Sequence, residues 1–342
     1  MNPESILIER IRKQWGARLL ILGHHYQRDG VLAHADAIGD SLELARRAAA
    51  ESRAERIAFC GVHFMAESAD ILSGGGRSVY MPVPDAGCPM ANMADLGRVQ
   101  TAWEEIGAAG GQPWLPVVYV NSSAAIKAFC GENGGSACTS GNAAKVMKWV
   151  LDQGHRVFFL PDQHLGENTA IDLGVARDEV AVFDHRQARG GLTEETLRSA
   201  RVLVWKGFCL VHTRFTVEQI RQARAQWPGA RVIVHPETPR EVVAAADAHG
   251  STARIIEYVN KAPDASVIVI GTELNLVDRL ARQTAGRVTV KALAPSVCRN
   301  MNMTDEASLM ALLERWPAER RISVPPEVAD RARLALDRML AV

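Results

Sequence analysis

The sequence has no excess of either charge and no long apolar run. Lysine and arginine together number 39, as do aspartate and glutamate, so the formal net charge is zero. No overall basic field is therefore available to attract nucleic acid or an anionic membrane. No stretch approaches the ~18 apolar residues of a membrane-spanning helix, and residues 1–25 predict a helix of mixed charge where a signal peptide needs an apolar core. We therefore expect a cytoplasmic protein.

Cysteine is also scarce, with six residues in a chain of 342. This number is too small for a disulfide scaffold, and in a reducing cytosol the thiols are expected to be free, metal-bound or catalytic. The phosphate-loop sequences GKS and GKT are missing, as is the dinucleotide fingerprint GxGxxG. The usual signatures of nucleotide binding are therefore absent.

What the sequence does contain is one pattern that occurs three times. Each copy runs from an apolar strand with a polar end, through a helix, to a small-residue turn with a hydroxyl, and then through a second helix and strand to a cysteine. The first strands are 18–26, 116–123 and 231–239, the turns are 39–41, 138–140 and 250–252, and the cysteines are Cys88, Cys209 and Cys298. Alternation of strands and helices is common to all α/β proteins, but the coincidence of all three features favours a real triplication.

The pattern predicts three α/β domains with parallel sheets, at 1–112, 113–228 and 229–342, the last with a C-terminal helix that packs back on the body. Parallel sheets bring strand C-termini and helix N-termini to one face. We expect these faces to meet at a common centre.

The three turns offer hydroxyls at helix starts. Free backbone N–H groups and the helix dipole attract phosphate or carboxylate there. A simpler interpretation is that Ser41, Ser140 and Ser251 or Thr252 only cap their helices, as such residues commonly do. Their equivalent positions in three copies favour anion binding.

The first strand of each copy ends in groups suited to proton transfer or to the recognition of carbonyls and carboxylates. We call them the six strand-end residues: His24, Tyr26, Tyr119, Asn121, His235 and Glu237.

Three converging cysteines allow a zinc site with one further ligand or a four-iron, four-sulfur cluster with one open iron. Thiolates without CxxC spacing favour the cluster. The alternative is that all three are buried structural thiols. Cys130 and Cys138 flank a glycine-rich insert, where solvent-facing thiols and a redox pair are both open, and we do not assign them to the cluster.

Longer stretches of the chain resemble one family, the quinolinate synthases. The stretches are HHYQ, ADAIGDSLELAR, FCGVHFMAESADIL, PDAGCPMANM, YVNSSAAIKA, CTSGNAAKV, FLPDQHLGENTA, WKGFCLVHTRF, HPETPREV, GSTARII, IGTEL and CRNMNM. The resemblance covers about 18–315 and implies an enzyme of NAD biosynthesis that condenses iminoaspartate with dihydroxyacetone phosphate to quinolinate, losing phosphate and two waters. It also implies three pseudo-symmetric three-layer αβα domains around a central four-iron, four-sulfur cluster whose open iron is a Lewis acid.

The resemblance also implies a role for each candidate site residue. By motif, the three repeat-ending cysteines match the cluster ligands, Ser41 and Ser140 match phosphate-binding hydroxyls, and Ser251 and Thr252 match carboxylate-binding ones. Among the six strand-end residues, Glu237 resembles the general acid/base and Tyr26 a pocket-closing or proton-relaying group. The other four resemble residues that position the substrate, and His24 and His235 are also catalytic candidates.

Two other functions remain open from the residues alone. A hydro-lyase with a three-cysteine cluster would dehydrate a hydroxy acid, but it would not need three anion-binding turns. A non-catalytic iron–sulfur sensor would keep the cysteines without needing Glu237. The expected partners are small-molecule substrates, with functional coupling to an aspartate-oxidising enzyme that supplies iminoaspartate.

Overall fold

The computed structural model describes residues 2–342 and contains three separate sheets in which all but one of the strand pairings are parallel. The predicted α/β class with three αβα units is confirmed. The sheets share one strand order, which supports a triplicated unit. In each, the first long strand lies between a short edge strand and the strand that follows the second helix.

The first unit is built around strand 19–24. This strand is apolar and buried along its whole length, as expected for a parallel strand that is covered on both faces. Asp40 and Glu43 form a capping box at the start of the helix that follows the first small-residue turn. The elements are α1 (Pro3–Trp15), β1 (Leu19–His24), α2 (Asp29–Leu32), β2 (Ala37–Gly39), α3 (Ser41–Ala50), β3 (Arg56–Cys60), α4 (His63–Ser73), β4 (Ser78–Tyr80) and α5 (Leu96–Ala108).

The second unit repeats this order with one addition, a strand and a short helix inserted before its last strand. The inserted strand extends the sheet at its edge. The elements are β5 (Trp114–Tyr119), α6 (Ala124–Glu132), β6 (Ser136–Cys138), α7 (Ala143–Asp152), β7 (Arg156–Leu160), α8 (Gln163–Asp172), β8 (Val180–Phe183), α9 (Glu194–Ser199), β9 (Val202–Trp205) and α10 (Val217–Gln226).

The third unit is the simplest, with four strands. Its elements are β10 (Arg231–Val234), α11 (Arg240–Ala245), β11 (Ala248–His249), α12 (Thr252–Asn260), β12 (Val267–Gly271), α13 (Leu274–Gln283) and β13 (Thr289–Ala292).

The C-terminal segment contains α14 (Glu306–Arg315), β14 (Arg321–Ile322) and α15 (Pro326–Ala341). It packs on the first two units: α14 on α1, β14 antiparallel to β4, and α15 on α6, β6 and α4. The predicted range 229–342 thus contains a segment whose contacts lie outside the third sheet. Asn142 Nδ2 donates to the carbonyl of Met339 at 3.1 Å, so α15 also holds the turn that carries Ser140.

Two short edge strands in the repeats were not predicted. Residues 37–39 pair with the end of β1. In the third unit α11 ends at Ala245, and β11 then pairs with β10. Among the described residues, no helix combines the length and apolar character needed to cross a bilayer.

Cys60, Cys130 and Cys138 have no exposed surface and lie in the hydrophobic core. The thiol of Cys130 donates to the carbonyl of Pro116 at 3.4 Å. Solvent-facing thiols at Cys130 and Cys138 are therefore excluded, because the insert folds inward as α6 and β6. Both cysteines are free, so they do not form a disulfide.

Candidate active site

The three units meet around a cavity of about 410 Å³. Each unit contributes four corresponding groups: two strand-end residues, one hydroxyl from the small-residue turn and one cysteine. They are His24, Tyr26, Ser41 and Cys88 from the first unit, Tyr119, Asn121, Ser140 and Cys209 from the second, and His235, Glu237, Thr252 and Cys298 from the third. Of the predicted site residues only Ser251 does not line the cavity, since it caps α12 by accepting from the N–H of Arg254.

The three cysteines lie in turns of the same shape. In each turn the backbone N–H four residues on donates to the cysteine carbonyl, at 3.1–3.3 Å, and a 3₁₀ helix begins three residues after the cysteine. The N–H groups two and three positions on face the sulfur. Such donors stabilise a thiolate, as they do around iron–sulfur clusters.

Burial raises the pKa of all three thiols, that of Cys88 to about 12. Cys298 further raises the pKa of Cys88, and Cys88 that of Cys209. Three thiolates in one buried cavity need compensating positive charge. A cationic metal group meets that need, so the donor set fits a metal centre.

Two buried carboxylates that sequence reasoning missed lie beside two of these turns. Glu273 caps α13 through the N–H of Asn275, at 2.8 Å, and accepts from the N–H of Cys298 at 3.4 Å. Asp162 caps α8 through the N–H of Leu165, at 2.6 Å, and its Oδ2 is buried near the backbone of Cys209 without a hydrogen-bond partner. Burial raises the pKa of Glu273 to about 7 and that of Asp162 well above its usual range.

The first unit has Val62 at the equivalent helix cap, which offers no side-chain acceptor. Its cysteine turn is instead tied to the third unit, because Asn300 Nδ2 donates to the carbonyl of Gly87 at 2.7 Å. In the sequence, the two carboxylates are indicated only by an acidic residue between a strand and a helix, Asp162 in PDQ and Glu273 in GTE.

His24 and His235 occupy identical local turns. Nδ1 of His24 accepts from the N–H of Tyr26 at 3.1 Å, and Nδ1 of His235 accepts from the N–H of Glu237 at 3.3 Å. Burial lowers the pKa of both imidazoles to about 3, so they are neutral at pH 7. A neutral ring that accepts at Nδ1 carries its proton on Nε2. Both histidines therefore offer an N–H donor without a full charge.

Glu237 lies where all three units meet. Tyr119 donates to its Oε1 at 2.6 Å, and Nδ1 of His212 lies 2.7 Å from its Oε2. Burial opposes the charged form of Glu237, but its hydrogen bonds with His212 and Tyr119 favour that form, and the pKa of Glu237 lies below its usual range. His212 and His235 stack with ring centroids 4.3 Å apart. Tyr26 remains protonated because burial raises its pKa.

His212, whose role the sequence did not indicate, also belongs to a possible single-metal site. Cys209, His212 and Glu237 each offer a ligand atom within 4.8 Å of the others. His212 and Glu237 are already paired with each other by a hydrogen bond.

The hydroxyls of Ser41 and Thr252 occupy the first positions of α3 and α12, and Ser140 lies in the turn before α7. Free N–H groups at these ends favour an anionic ligand. Asn121 Oδ1 is buried without a hydrogen-bond partner, as expected of an acceptor that binds a ligand. Arg214 and Arg299, which were not predicted, also line the cavity.

Fold and site define a class: a triplicated α/β enzyme with a central cavity that is lined by imidazoles, a carboxylate, hydroxyls near helix starts and three thiols. The family model described as quinolinate synthetase A protein matches residues 7–341. The chain belongs to the quinolinate synthetase A family, and the resemblance predicted from its motifs is confirmed.

Curated relatives agree over nearly full length. A quinolinate synthase from Corynebacterium glutamicum is 49% identical over 341 residues, which cover 98% of this chain and 86% of the relative. The quinolinate synthase from Acidobacterium capsulatum is 46% identical, and the match covers 99% of this chain and 94% of the relative. The one from Geobacillus kaustophilus is 48% identical, and the match covers 97% of this chain and 91% of the relative.

Proposed function

We propose that this enzyme condenses iminoaspartate with dihydroxyacetone phosphate to quinolinate, releasing phosphate and two waters. The observation that carries the proposal is the cavity to which each unit contributes two strand-end residues, a hydroxyl from the small-residue turn and a thiol. The reaction needs no oxidant, because iminoaspartic acid (C4H5NO4) and dihydroxyacetone phosphate (C3H7O6P) together contain the same atoms as quinolinic acid (C7H5NO4), H3PO4 and two H2O. The three anion-binding helix starts favour this reaction over a hydro-lyase that takes no phosphorylated triose.

We further propose that Cys88, Cys209 and Cys298 hold a four-iron, four-sulfur cluster. The equivalent turns and the N–H groups directed at each sulfur support it. A single ion on Cys209, His212 and Glu237 is less favoured, because it would break the His212–Glu237 hydrogen bond and leave two thiols unused. When bound, the cluster supplies a Lewis-acidic iron that polarises a hydroxyl or carboxylate for loss of water.

Ser41 and Ser140, with the helix starts beside them, would bind the phosphate of the triose. Thr252 would bind a carboxylate of iminoaspartate, while Ser251 keeps the start of α12 in place. The N–H donors of His24 and His235 and the amide of Asn121 would orient the carbonyl and carboxylate groups. Tyr119 would act both on the substrate and on Glu237, which it touches.

Glu237 is the best-placed group to move protons during imine formation and the dehydrations. It is ionised at neutral pH, and it has two hydrogen-bond donors that can share a proton with it. Tyr26 lies at the cavity wall and would close the site or pass a proton. Iminoaspartate hydrolyses readily, so we expect an aspartate-oxidising enzyme to supply it. The free cysteines are consistent with a cytoplasmic location.

The first test is the iron and acid-labile sulfide content of protein purified without oxygen, followed by chromatographic detection of quinolinate. We expect about four of each per chain, lost in Cys209→Ala but kept in Cys130→Ala, a core thiol away from the cavity. Zinc in the native protein would contradict the cluster. A full cluster without quinolinate would contradict the reaction.

A further inference from the structure

The loop that follows β1 is fixed from two sides. It spans residues 25–27, and its central residue, Tyr26, lines the cavity. The three backbone N–H groups of the loop are bound within the first unit. That of His25 donates to the carbonyl of Gly39 at 3.2 Å, and the next two donate to Nδ1 and to the carbonyl of His24, at 3.1 and 2.9 Å. The three backbone carbonyls of the loop accept instead from α13 of the third unit.

Two side chains of α13 provide these bonds. Asn275 Nδ2 donates to the carbonyl of Tyr26 at 3.0 Å. The guanidinium of Arg279 spans the carbonyls on either side of Tyr26, with Nη1 donating at 2.7 Å and Nη2 at 2.6 Å. Its Nε donates to Oδ1 of Asp29 at 2.6 Å, and the side chain of Arg279 is only 12% exposed. All three guanidinium nitrogens of Arg279 are therefore bonded to the first unit.

The second unit contacts the third in a corresponding way. Arg279 lies six residues after Glu273, the cap of α13, and Asn168 lies six residues after Asp162, the cap of α8. Asn168 is fully buried, and its Nδ2 donates to the carbonyls on either side of Glu237, at 2.8 and 2.9 Å. The same helix position thus reaches the backbone on both sides of a strand-end residue at two of the unit boundaries. This recurrence at corresponding positions indicates a feature of the repeat rather than an incidental contact.

We infer that Arg279 is a positioning residue for quinolinate formation: its guanidinium fixes the loop that carries Tyr26 against the third unit. The inference rests on the proposed function, in which Tyr26 closes the site or passes a proton. The planar fork of an arginine can donate to two carbonyls at once in a fixed geometry, whereas an ammonium is a compact point charge and an aliphatic chain donates nothing. Because the donors belong to α13 and the acceptors to the first unit, the placement of Tyr26 depends on how these two units dock.

Three variants separate the contact with the loop from the charge of the helix. Arg279→Met removes the donors and keeps an unbranched side chain, and Arg279→Lys keeps the charge without the fork. Arg282→Met is the matched control. Arg282 lies on the same helix and pairs with the same Asp29, but it is 60% exposed and its bond is to Asp29 rather than to the loop. Iron per chain would be measured first, so that only variants loaded like the native enzyme are compared.

We expect Arg279→Met to lower kcat about 10- to 100-fold, the effect of a small displacement of a group that acts on substrate, with KM for both substrates within about twofold. Arg279→Lys should lose about threefold to tenfold, since its ammonium can still donate to one carbonyl. Arg282→Met should match the native enzyme. A native kcat in Arg279→Met, or an equal loss in Arg282→Met, would overturn the inference. If Arg279→Met takes up too little iron for the comparison, the same decision rests on Arg279→Lys.

A second readout does not depend on turnover. Hydrogen exchange of the holoenzyme, followed by mass spectrometry, measures how often the backbone at 25–27 opens. We expect peptides that contain these residues to exchange at least about tenfold faster in Arg279→Met, because two carbonyl hydrogen bonds are lost. Peptides that contain Glu237 should be unchanged, as should both regions in Arg282→Met. Unchanged exchange at 25–27 in Arg279→Met would refute the inference even if the native protein formed no quinolinate, whereas a lack of quinolinate by itself would refute only the proposed reaction.

Discussion

The hydroxyl of Tyr119 lies 2.6 Å from Oε1 of Glu237, although the two residues are 118 positions apart and belong to different units. This hydrogen bond joins the second and third units at the wall of the cavity. The hydrogen-bonded pair of Tyr119 and Glu237, which we propose for proton transfer, therefore forms only when the second and third units pack together.

Replacing Glu237 by glutamine should stop turnover while leaving the metal centre intact. The amide cannot accept a proton from substrate, so we expect the rate of quinolinate formation to fall at least about 100-fold. The measurements are initial rate and iron per chain. Glu241→Gln, at an exposed position on the neighbouring helix, should behave like the native enzyme. A retained rate in Glu237→Gln would remove this carboxylate from the mechanism.

Replacing Ser41 by alanine should weaken binding of one substrate selectively. A lost hydrogen bond to a charged phosphate should raise KM for dihydroxyacetone phosphate about tenfold. KM for iminoaspartate, generated enzymatically from aspartate during the assay, is the internal control and should not change. Inhibition by inorganic phosphate should weaken in parallel. If both KM values rose together, Ser41 would not be a phosphate-specific group.

Glu273 should govern how firmly the third cysteine turn holds metal. Glu273→Ala removes the acceptor for the N–H groups of Asn275 and Cys298, and loss of such a cap costs about 1 kcal/mol. We expect iron per chain to fall clearly in Glu273→Ala and less in Glu273→Gln, which keeps one acceptor oxygen. Glu314→Ala, exposed on α14, is the control. Native iron content in Glu273→Ala would show that the turn needs no such support.

Lys127 should make stability depend on alkaline pH. Its side chain is fully buried, Nζ donates to the carbonyl of Ser122 at 2.5 Å, and burial lowers its pKa from 10.5 to about 8. Between these values the unfolded chain holds a proton that the folded chain has lost, so stability rises as pH rises from about 8 to 10.5.

The free energy of unfolding of the native protein minus that of Lys127→Met isolates this effect from other titrating groups. We expect this difference to grow with pH by up to about 3 kcal/mol, which corresponds to the lowered pKa. Urea unfolding at pH 8 and pH 10 would measure it. A difference that stayed constant with pH would mean that the native lysine keeps its ordinary pKa.

The triplicated fold and the cavity groups were accessible from sequence because each depends on a local pattern that occurs three times. Apolar strands, hydroxyl turns and terminal cysteines can be read without knowing how the units pack. The short strand β2 was missed because three residues carry too little periodicity, and only pairing with β1 defines them. The inserted β8 was missed because it breaks the repeat.

The remaining site residues were missed for a different reason. Thr272 and Glu273 look like an ordinary strand-to-helix junction in the sequence. The hydroxyl of Thr272 nevertheless lies 2.9 Å from that of Tyr26, which is 246 positions away. Contacts of this kind depend on how the three units dock, which no single stretch encodes.

The hydrogen bond between Asn142 and Met339 of α15 has a consequence for how the protein folds during its synthesis on the ribosome. Residues 326–341 emerge from the ribosome long after the second sheet, and until then Asn142 lacks the carbonyl of Met339 and the surface of α6 lacks its cover. A nascent chain can thus complete its second sheet before the turn that carries Ser140 is held in place. In the proposed reaction, binding of the triose phosphate at Ser140 would therefore wait until the C-terminal helix has docked on the second unit.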